Sequence, residues 1–260
     1  MAIKNGDFVR INFTGKEKEN EEIIDTTYEE IAIEADIFND KKEYKPIPIV
    51  VGGNHLLPRI EESIVGLDVG DNITVEIASE DAFGPRNPSA VQLIPMKEFK
   101  KQGMTPYPGM RISSGGGEGR ILTVNGGRVK VDFNHPLAGK DVVYDVEVIE
   151  IIEDTDEKIK SMIELHYSNP NADIDNTVIE INDGVLDIQL DDVCKYDQQS
   201  YVDITLARFK IARDIWNNIE EIEKVNFIDS FEKKIMEEES DESDNDGSAD
   251  ASEEINNEEE

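Results

Sequence analysis

The sequence predicts a β-rich, multidomain protein of the α+β class, and three observations carry that prediction. Short segments alternate apolar and polar residues with a period of two, helical spacing is confined to a few stretches, and glycine or proline punctuates most segment ends. Val9, Ile11 and Phe13 alternate with Arg10 and Asn12, which predicts a half-buried strand ending at Gly15. The apolar run Ile47-Pro48-Ile49-Val50-Val51 reads as a second strand, and proline puts it at an edge or a bend. Pro58 suits the first position of a short helix on which Leu57, Ile60 and Ile64 share a face, with Gly66 closing it. Ile73, Val75 and Ile77 alternate as a further strand, and Asp81-Ala82-Phe83-Gly84-Pro85 reads as a turn. Val142 to Ile152, rich in β-branched residues and containing Tyr144, predicts a long strand.

Between the turn and that long strand, residues 86–134 differ in character. They carry Pro88, Pro95, Pro106 and Pro108 and the cluster Gly115-Gly116-Gly117, and Asn125-Gly126 predicts a hairpin between Ile121–Val124 and Arg128–Phe133. A structureless loop of this length does not suit a compact domain, so the stretch reads as an inserted β-rich module. Beyond Ile152, Asp154 with Glu157 resembles a capping box that starts a helix through Ile159, Met162 and Ile163 and stops before Pro170. Thr177–Ile181 and Val185–Leu190 flank Asn182-Asp183-Gly184, a hairpin signal. Residues 200–220 predict the longest helix, with Ile204, Phe209, Ile211, Ala212, Ile215, Trp216 and Ile219 as its apolar stripe. Val225, Phe227 and Phe231 are expected on one face of a last strand, completing an αββαβ unit over residues 153–233. Its core is small for the apolar surface it carries, which predicts pairing with a second copy.

Charge narrows the function classes. Of 260 residues, 26 are Lys or Arg and 59 are Asp or Glu, a formal net charge of −33. That field repels phosphate backbones and anionic lipid, so binding to nucleic acid or a membrane surface is not expected. Residues 237–260 hold 13 acidic side chains and no basic one, and residues 234–260 are expected to be a disordered acidic tail. The start, Met1-Ala2-Ile3-Lys4-Asn5-Gly6-Asp7, lacks the apolar core of a secretory signal, and no run reaches the ~20 apolar residues of a membrane span. A single cysteine, Cys194, suits a reducing cytoplasm.

Catalytic constellations of the usual kinds are missing. His55, His135 and His166 lie far apart in sequence, with no His-x-x-x-His pair and no nearby Ser or Cys nucleophile, so neither a metal nor a cofactor is expected. Gly115-Gly116-Gly117-Glu118-Gly119 lacks the Gly-Lys-Ser/Thr ending of a phosphate loop and reads as turn flexibility.

The order of local motifs says more. Ile11-Asn12-Phe13-Thr14-Gly15 is followed by Ile23-Ile24-Asp25-Thr26-Thr27, then by Val51-Gly52-Gly53-Asn54-His55-Leu56-Leu57-Pro58-Arg59-Ile60-Glu61-Glu62 and Gly66-Leu67-Asp68-Val69-Gly70-Asp71. Ala82-Phe83-Gly84 and Asn134-His135-Pro136-Leu137-Ala138-Gly139-Lys140 come next, leading to Tyr144-Asp145-Val146-Glu147-Val148. In this order, over residues 7–152, they resemble the FKBP-type peptidyl-prolyl cis-trans isomerases. The module between Ala-Phe-Gly and Asn-His-Pro-Leu-Ala-Gly looks like the insert-in-flap domain of the SlyD-like branch, and the extra C-terminal unit looks like its long archaeal members. The resemblance implies a half-barrel of antiparallel sheet around one short helix, discontinuous over residues 1–85 and 135–152, with the chaperone module at 86–134. The branch's histidine-rich metal-binding tail has no counterpart here, since the tail contains no histidine.

Carried over by position, the resemblance implies an apolar pocket for the prolyl bond. Asp25, Phe83, Tyr144 and Phe13 would carry catalysis, and Ile24, Ile47, Leu56, Leu57, Ile60, Leu137 and His135 would contact substrate. Ile60 stands where many members have tryptophan, and Phe13 and Phe83 where tyrosine is usual, so two hydroxyls are missing. The chemistry tolerates that. Isomerisation crosses a barrier of about 20 kcal/mol set by amide resonance. A water-poor pocket disfavours the charge-separated planar amide against the less polar twisted form, so no nucleophile or proton relay is required. The expected function is isomerisation of X–Pro bonds in unfolded or nascent polypeptides. Residues 86–134 would tether clients through Leu93, Ile94, Met96, Phe99 and Met110, and residues 153–233 would form a homodimer. The rivals are a holdase without turnover and an acidic scaffold for basic proteins.

Overall fold

A computed structural model describes residues 2–231 apart from residues 115, 116, 168, 170 and 198. The expected acidic tail therefore lies outside the described residues, as does most of the Gly115–Gly117 cluster.

The first sheet begins with β1 (Phe8–Glu17), β2 (Ile23–Thr26), helix α1 (Glu29–Glu34), β3 (Ile47–Val50), helix α2 (Pro58–Ile64) and β4 (Asn72–Ile77). The next elements, β5 (Val91–Pro95), helix α3 (Met96–Lys101), β6 (Arg111–Ser114), β7 (Gly117–Asn125) and β8 (Arg128–Asp132), form a separate antiparallel sheet in the order β5-β8-β7-β6. The chain then returns through β9 (Val142–Ile152), which lies between β1 and β4 in the first sheet. Along its other edge β1 pairs β3 through Phe8–Ile11 and β2 through Thr14–Lys16. Since β3 pairs only with β1, Pro48 can occupy the strand without a missing ladder bond on an outer side.

Alternation decides which way β1 faces. Val9, Ile11 and Phe13 join Ile49, Ile60, Ile64, Ile77, Val142, Tyr144, Val146 and Val148 in one core against α2. Phe8 points the opposite way and belongs to a different core. Helix α2 has the expected ends: Pro58 in its first turn, and Gly66 just beyond it at φ +90°.

After β9 come α4 (Thr155–His166), β10 (Val178–Asn182), β11 (Val185–Gln189), α5 (Tyr201–Asn218) and β12 (Lys224–Phe227). Asp154 caps α4 by accepting from the Glu157 amide, and Ser200 caps α5 through the Asp203 amide. β10 and β11 form the expected hairpin, turning at Asp183 and Gly184 with positive φ at both, and β12 runs parallel to β11. Ile159, Met162, Ile163, Leu186, Ile188, Ile211 and Ile215 pack together with Phe8, Val50 and Ile152 of the first sheet. Part of the apolar surface that suggested a second copy is thus covered within the chain. Arg10 of β1 donates to Glu164 of α4 at 2.9 Å across the same junction.

Four expectations are corrected. The 120s hairpin turns over Gly126-Gly127, one residue later than expected, because Asn125 still pairs with Arg128 and both glycines take positive φ. Phe99 is buried in the insert's own core with Ile112, Ile121, Val129 and Val131, against which Ile94, Met96 and Met110 pack; Leu93 is the exposed member of that expected set, joined by Tyr107. Phe209 and Trp216 face solvent, since only the Ile204–Ile211–Ile215 side of α5 meets the core. Phe231 lies beyond β12 and is exposed. The short elements β2, α1 and α3 had no expectation, each being too brief to show a period.

Candidate active site

The expected pocket residues sit on different elements of the first sheet and its connections. Phe13 is on β1, Ile24 and Asp25 on β2, Ile47 on β3, Ile60 on α2 and Tyr144 on β9. Leu56 and Leu57 lead into α2, and Phe83 lies in the turn after β4. Phe13, Ile60 and Tyr144 are buried in one cluster, with Ile24, Ile47, Leu56, Leu57 and Phe83 half-buried against it. The Phe13 and Tyr144 rings lie 5.9 Å apart and tilted by 50°. Gly15 pairs with Asp25 on one side and Tyr144 on the other, so the three share one rung of the sheet. A Cβ at Gly15 would come within 2.5 Å of the Tyr144 ring, so the missing side chain is what lets the ring lie across β1. The Tyr144 hydroxyl is pushed up to about 12, first by burial and then by the Asp25 charge.

Three expected residues, Leu137, His135 and Asp25, stand outside the apolar cluster. Leu137 is half-buried and His135 exposed in the turn that follows the insert. His135 Nδ1 accepts from the Leu137 amide at 3.2 Å, and the imidazole stacks on Phe83 at 4.6 Å with planes 4° apart. Phe83 is thereby held by stacking rather than by a hydroxyl. Asp25 lies at the rim with its side chain about half exposed, and Lys42 Nζ donates to its Oδ1 at 2.5 Å and to the Thr26 carbonyl at 3.0 Å.

Sequence reasoning missed two groups. Lys42 is one; it lies in the polar loop before β3, and nothing local points it at Asp25. Glu61 is the other, 3% exposed on α2. Its Oε2 accepts from the amides of Gly52 and Asn54, both at 3.0 Å, and its Oε1 from the amide of Leu56 at 2.8 Å. One carboxylate therefore closes three backbone donors of the loop that presents Leu56 and Leu57.

The insert joins this site through a narrow neck. Asn134 Oδ1 accepts from the Asn87 amide at 2.8 Å, while Asn134 Nδ2 donates to the Asn87 carbonyl at 3.0 Å. Arg86 pairs with Asp132, and the Gly139 amide donates to the Gly84 carbonyl at 2.8 Å. Burial would raise the Asp132 carboxyl, but hydrogen bonds from Asn134 and the Arg86 charge outweigh it and hold the group below its usual range.

The histidines are not all scattered. His55 and His166 come together with Asp214 of α5, and the two rings lie 5.7 Å apart. Burial pushes the His55 imidazole down, against the pull of the Asp214 charge. Among the described residues no helix is long and apolar enough to cross a membrane.

Comparison with known proteins bears on all three parts of the chain. A family model described as the FKBP26 IF domain matches residues 92–137, and one described as FKBP26 C-terminal matches residues 155–232. A short-type peptidyl-prolyl cis-trans isomerase of Methanocaldococcus jannaschii is 35% identical over 153 residues, covering 57% of this chain and 94% of the relative. An FKBP-type 16 kDa peptidyl-prolyl cis-trans isomerase of Escherichia coli is 36% identical over 111 residues, covering 41% of this chain and 74% of the relative. The FKBP-type isomerase SlyD of Vibrio cholerae is 36% identical over 119 residues, covering 44% and 58% respectively.

Proposed function

The chain belongs to the SlyD-like FKBP-type peptidyl-prolyl cis-trans isomerases, and from that premise we propose that it acts as a cytoplasmic folding helper. In this reading, X–Pro bonds of unfolded or nascent polypeptides turn at the Phe13–Tyr144 cluster while residues 86–134 hold the client. The observation that carries it is the rung Asp25–Gly15–Tyr144, which sets one carboxylate at the edge of an apolar aromatic cluster. An amide entering there loses water on its prolyl side, where Phe13, Ile60, Leu57 and Tyr144 offer only carbon surface and one hydroxyl. The planar, charge-separated ground state loses more from that desolvation than the twisted transition state. Asp25 orients the chain around the bond, sharing its carboxylate with Lys42. Phe83, braced by His135, closes the side near Leu137, and Ile24, Ile47 and Leu56 complete the apolar wall.

Leu57→Asp tests the division of labour. A carboxylate beside the prolyl ring forfeits the apolar contact, and turnover of a prolyl peptide should fall by roughly 100-fold, the kinetic equivalent of about 3 kcal/mol. Suppression of a client's aggregation should persist, because the insert has its own sheet and core. Equal loss of both activities would refute separate sites for turnover and holding.

The homodimer is proposed on α5. Val202, Leu206, Phe209 and Trp216 recur at helical spacing and are exposed by 63%, 51%, 57% and 42%, an apolar stripe that a second copy would cover. Sedimentation should give a dimer for the wild type and a monomer for Phe209→Glu. A wild-type monomer at all accessible concentrations would remove the dimer from the reading.

A further inference from the structure

We infer that His55, His166 and Asp214 form a site for one divalent transition metal of the zinc type, joining the loop before α2 to the C-terminal helices. His166 Nε2 lies 2.5 Å from Asp214 Oδ2, and His55 Nε2 lies 3.8 Å from the same oxygen. All three ligand atoms fall within 4.8 Å of one another. With metal–ligand bonds of about 2.0–2.2 Å, tetrahedral ligands stand about 3.4 Å apart. The observed separations bracket that value, so an ion would part His166 from Asp214 by about 1 Å and draw His55 inward.

The second observation concerns His55 alone. Its side chain is 5% exposed, yet Nε2 is buried with no hydrogen-bond partner. A buried imidazole nitrogen without a partner is uncommon and asks for an explanation. Here that atom faces a carboxylate and a second imidazole, which is the arrangement a metal ion satisfies. Gly53 supports it: a Cβ there would reach 2.5 Å from His55 Nε2, so the glycine keeps the ring where it is.

The donor set chooses the ion. Two imidazoles and one carboxylate suit zinc, cobalt or nickel, whereas calcium and magnesium prefer shells of oxygen. Asp214 Oδ1 is taken by Arg213 Nε at 2.9 Å, which orients Oδ2 toward the histidines. Three protein ligands leave a fourth position for water, and a cavity of about 400 Å³ bordered by Gly52, Gly53, Asn54, Arg213, Asn217 and Asn218 adjoins Asp214. His55 stands immediately before Leu56 and Leu57, while His166 ends α4 and Asp214 lies on α5. A bound ion would therefore clamp the C-terminal unit onto the loop that also carries part of the proposed prolyl wall.

The many carboxylates of this chain bind divalent ions weakly on their own, so the test must report ligand type as well as stoichiometry. Metal-stripped full-length protein is titrated with Co²⁺. One equivalent should give the intense visible ligand-field absorption of four- or five-coordinate cobalt, displaced by Zn²⁺. His55→Gln and His166→Gln should each lose the band, a larger effect than the roughly 10–100-fold weakening typical of outer-shell changes. His135→Gln should keep it. Zn²⁺ should also raise the unfolding midpoint of the wild type but not of His55→Gln. If either ligand variant fails to fold, X-ray absorption on zinc-loaded wild type decides, since it counts imidazoles directly. Two imidazoles support the site. A shell of oxygen only, or a cobalt band unchanged in both folded variants, overturns it.

Discussion

Glu61→Ala should be the most damaging single substitution on α2, lowering stability by about 3 kcal/mol and the unfolding midpoint by on the order of 10 °C. The buried carboxylate accepts from three amides, those of Gly52, Asn54 and Leu56. Alanine removes the charged acceptor from all three donors; such a bond contributes about 1.5–3 kcal/mol, and water recovers only part of that at the exposed Gly52 and Asn54. Glu61→Gln should be nearly as harmful despite its matching shape. An amide offers one oxygen, so its NH₂ would face either the Leu56 amide or the pair from Gly52 and Asn54, donor against donor. Catalysis should fall with stability, because the freed loop carries Leu56 and Leu57. Thermal unfolding and peptide turnover on both variants measure this. A midpoint within about 2 °C of wild type for Glu61→Gln would show that the oxygen acceptors matter less than the packing of the side chain.

Glu61 also marks where sequence reading stops. The long strand Val142–Ile152, the helix between Pro58 and Gly66 and the hairpin at Asp183-Gly184 were legible because local chemistry specifies them: β-branched runs, a first-turn proline and a positive-φ turn. Motif order identified the family, and of the three aromatic residues expected to line a pocket, Phe13 and Tyr144 are buried in one cluster with Phe83 packed against it. Glu61 looked like one acid among 59, since its role depends on a loop folding back over it. Lys42 meets Asp25 across 17 residues, and His166 reaches Asp214 across 48. No period or spacing encodes such meetings; they follow from how the sheet and helices pack. The apolar stripe of α5 failed for a related reason. Helical spacing shows that residues share a face, but only tertiary packing decides whether Phe209 and Trp216 face a core or solvent.

Removing the insert while keeping its neck should separate holding from turnover most sharply. Excising residues 88–133 and joining Asn87 to Asn134 by a short glycine link preserves the site's frame, because the Asn134 side chain already accepts from the Asn87 amide and donates to the Asn87 carbonyl. The insert's core shares no residue with the core around Phe13 and Tyr144, so the cut leaves no cavity there. Turnover of a short prolyl peptide should change little. Acceleration of a refolding step limited by prolyl isomerisation should fall by roughly 100-fold or more, the scale by which tethering raises effective concentration. Leu93 and Tyr107, the large apolar side chains that the insert leaves most exposed, would offer the grip that the excision removes. If both substrates lose activity in parallel, the insert acts by supporting the pocket through Arg86, Asn87 and Asn134. If neither changes, clients are held elsewhere, and the exposed stripe on α5 becomes the surface on which holding must be sought.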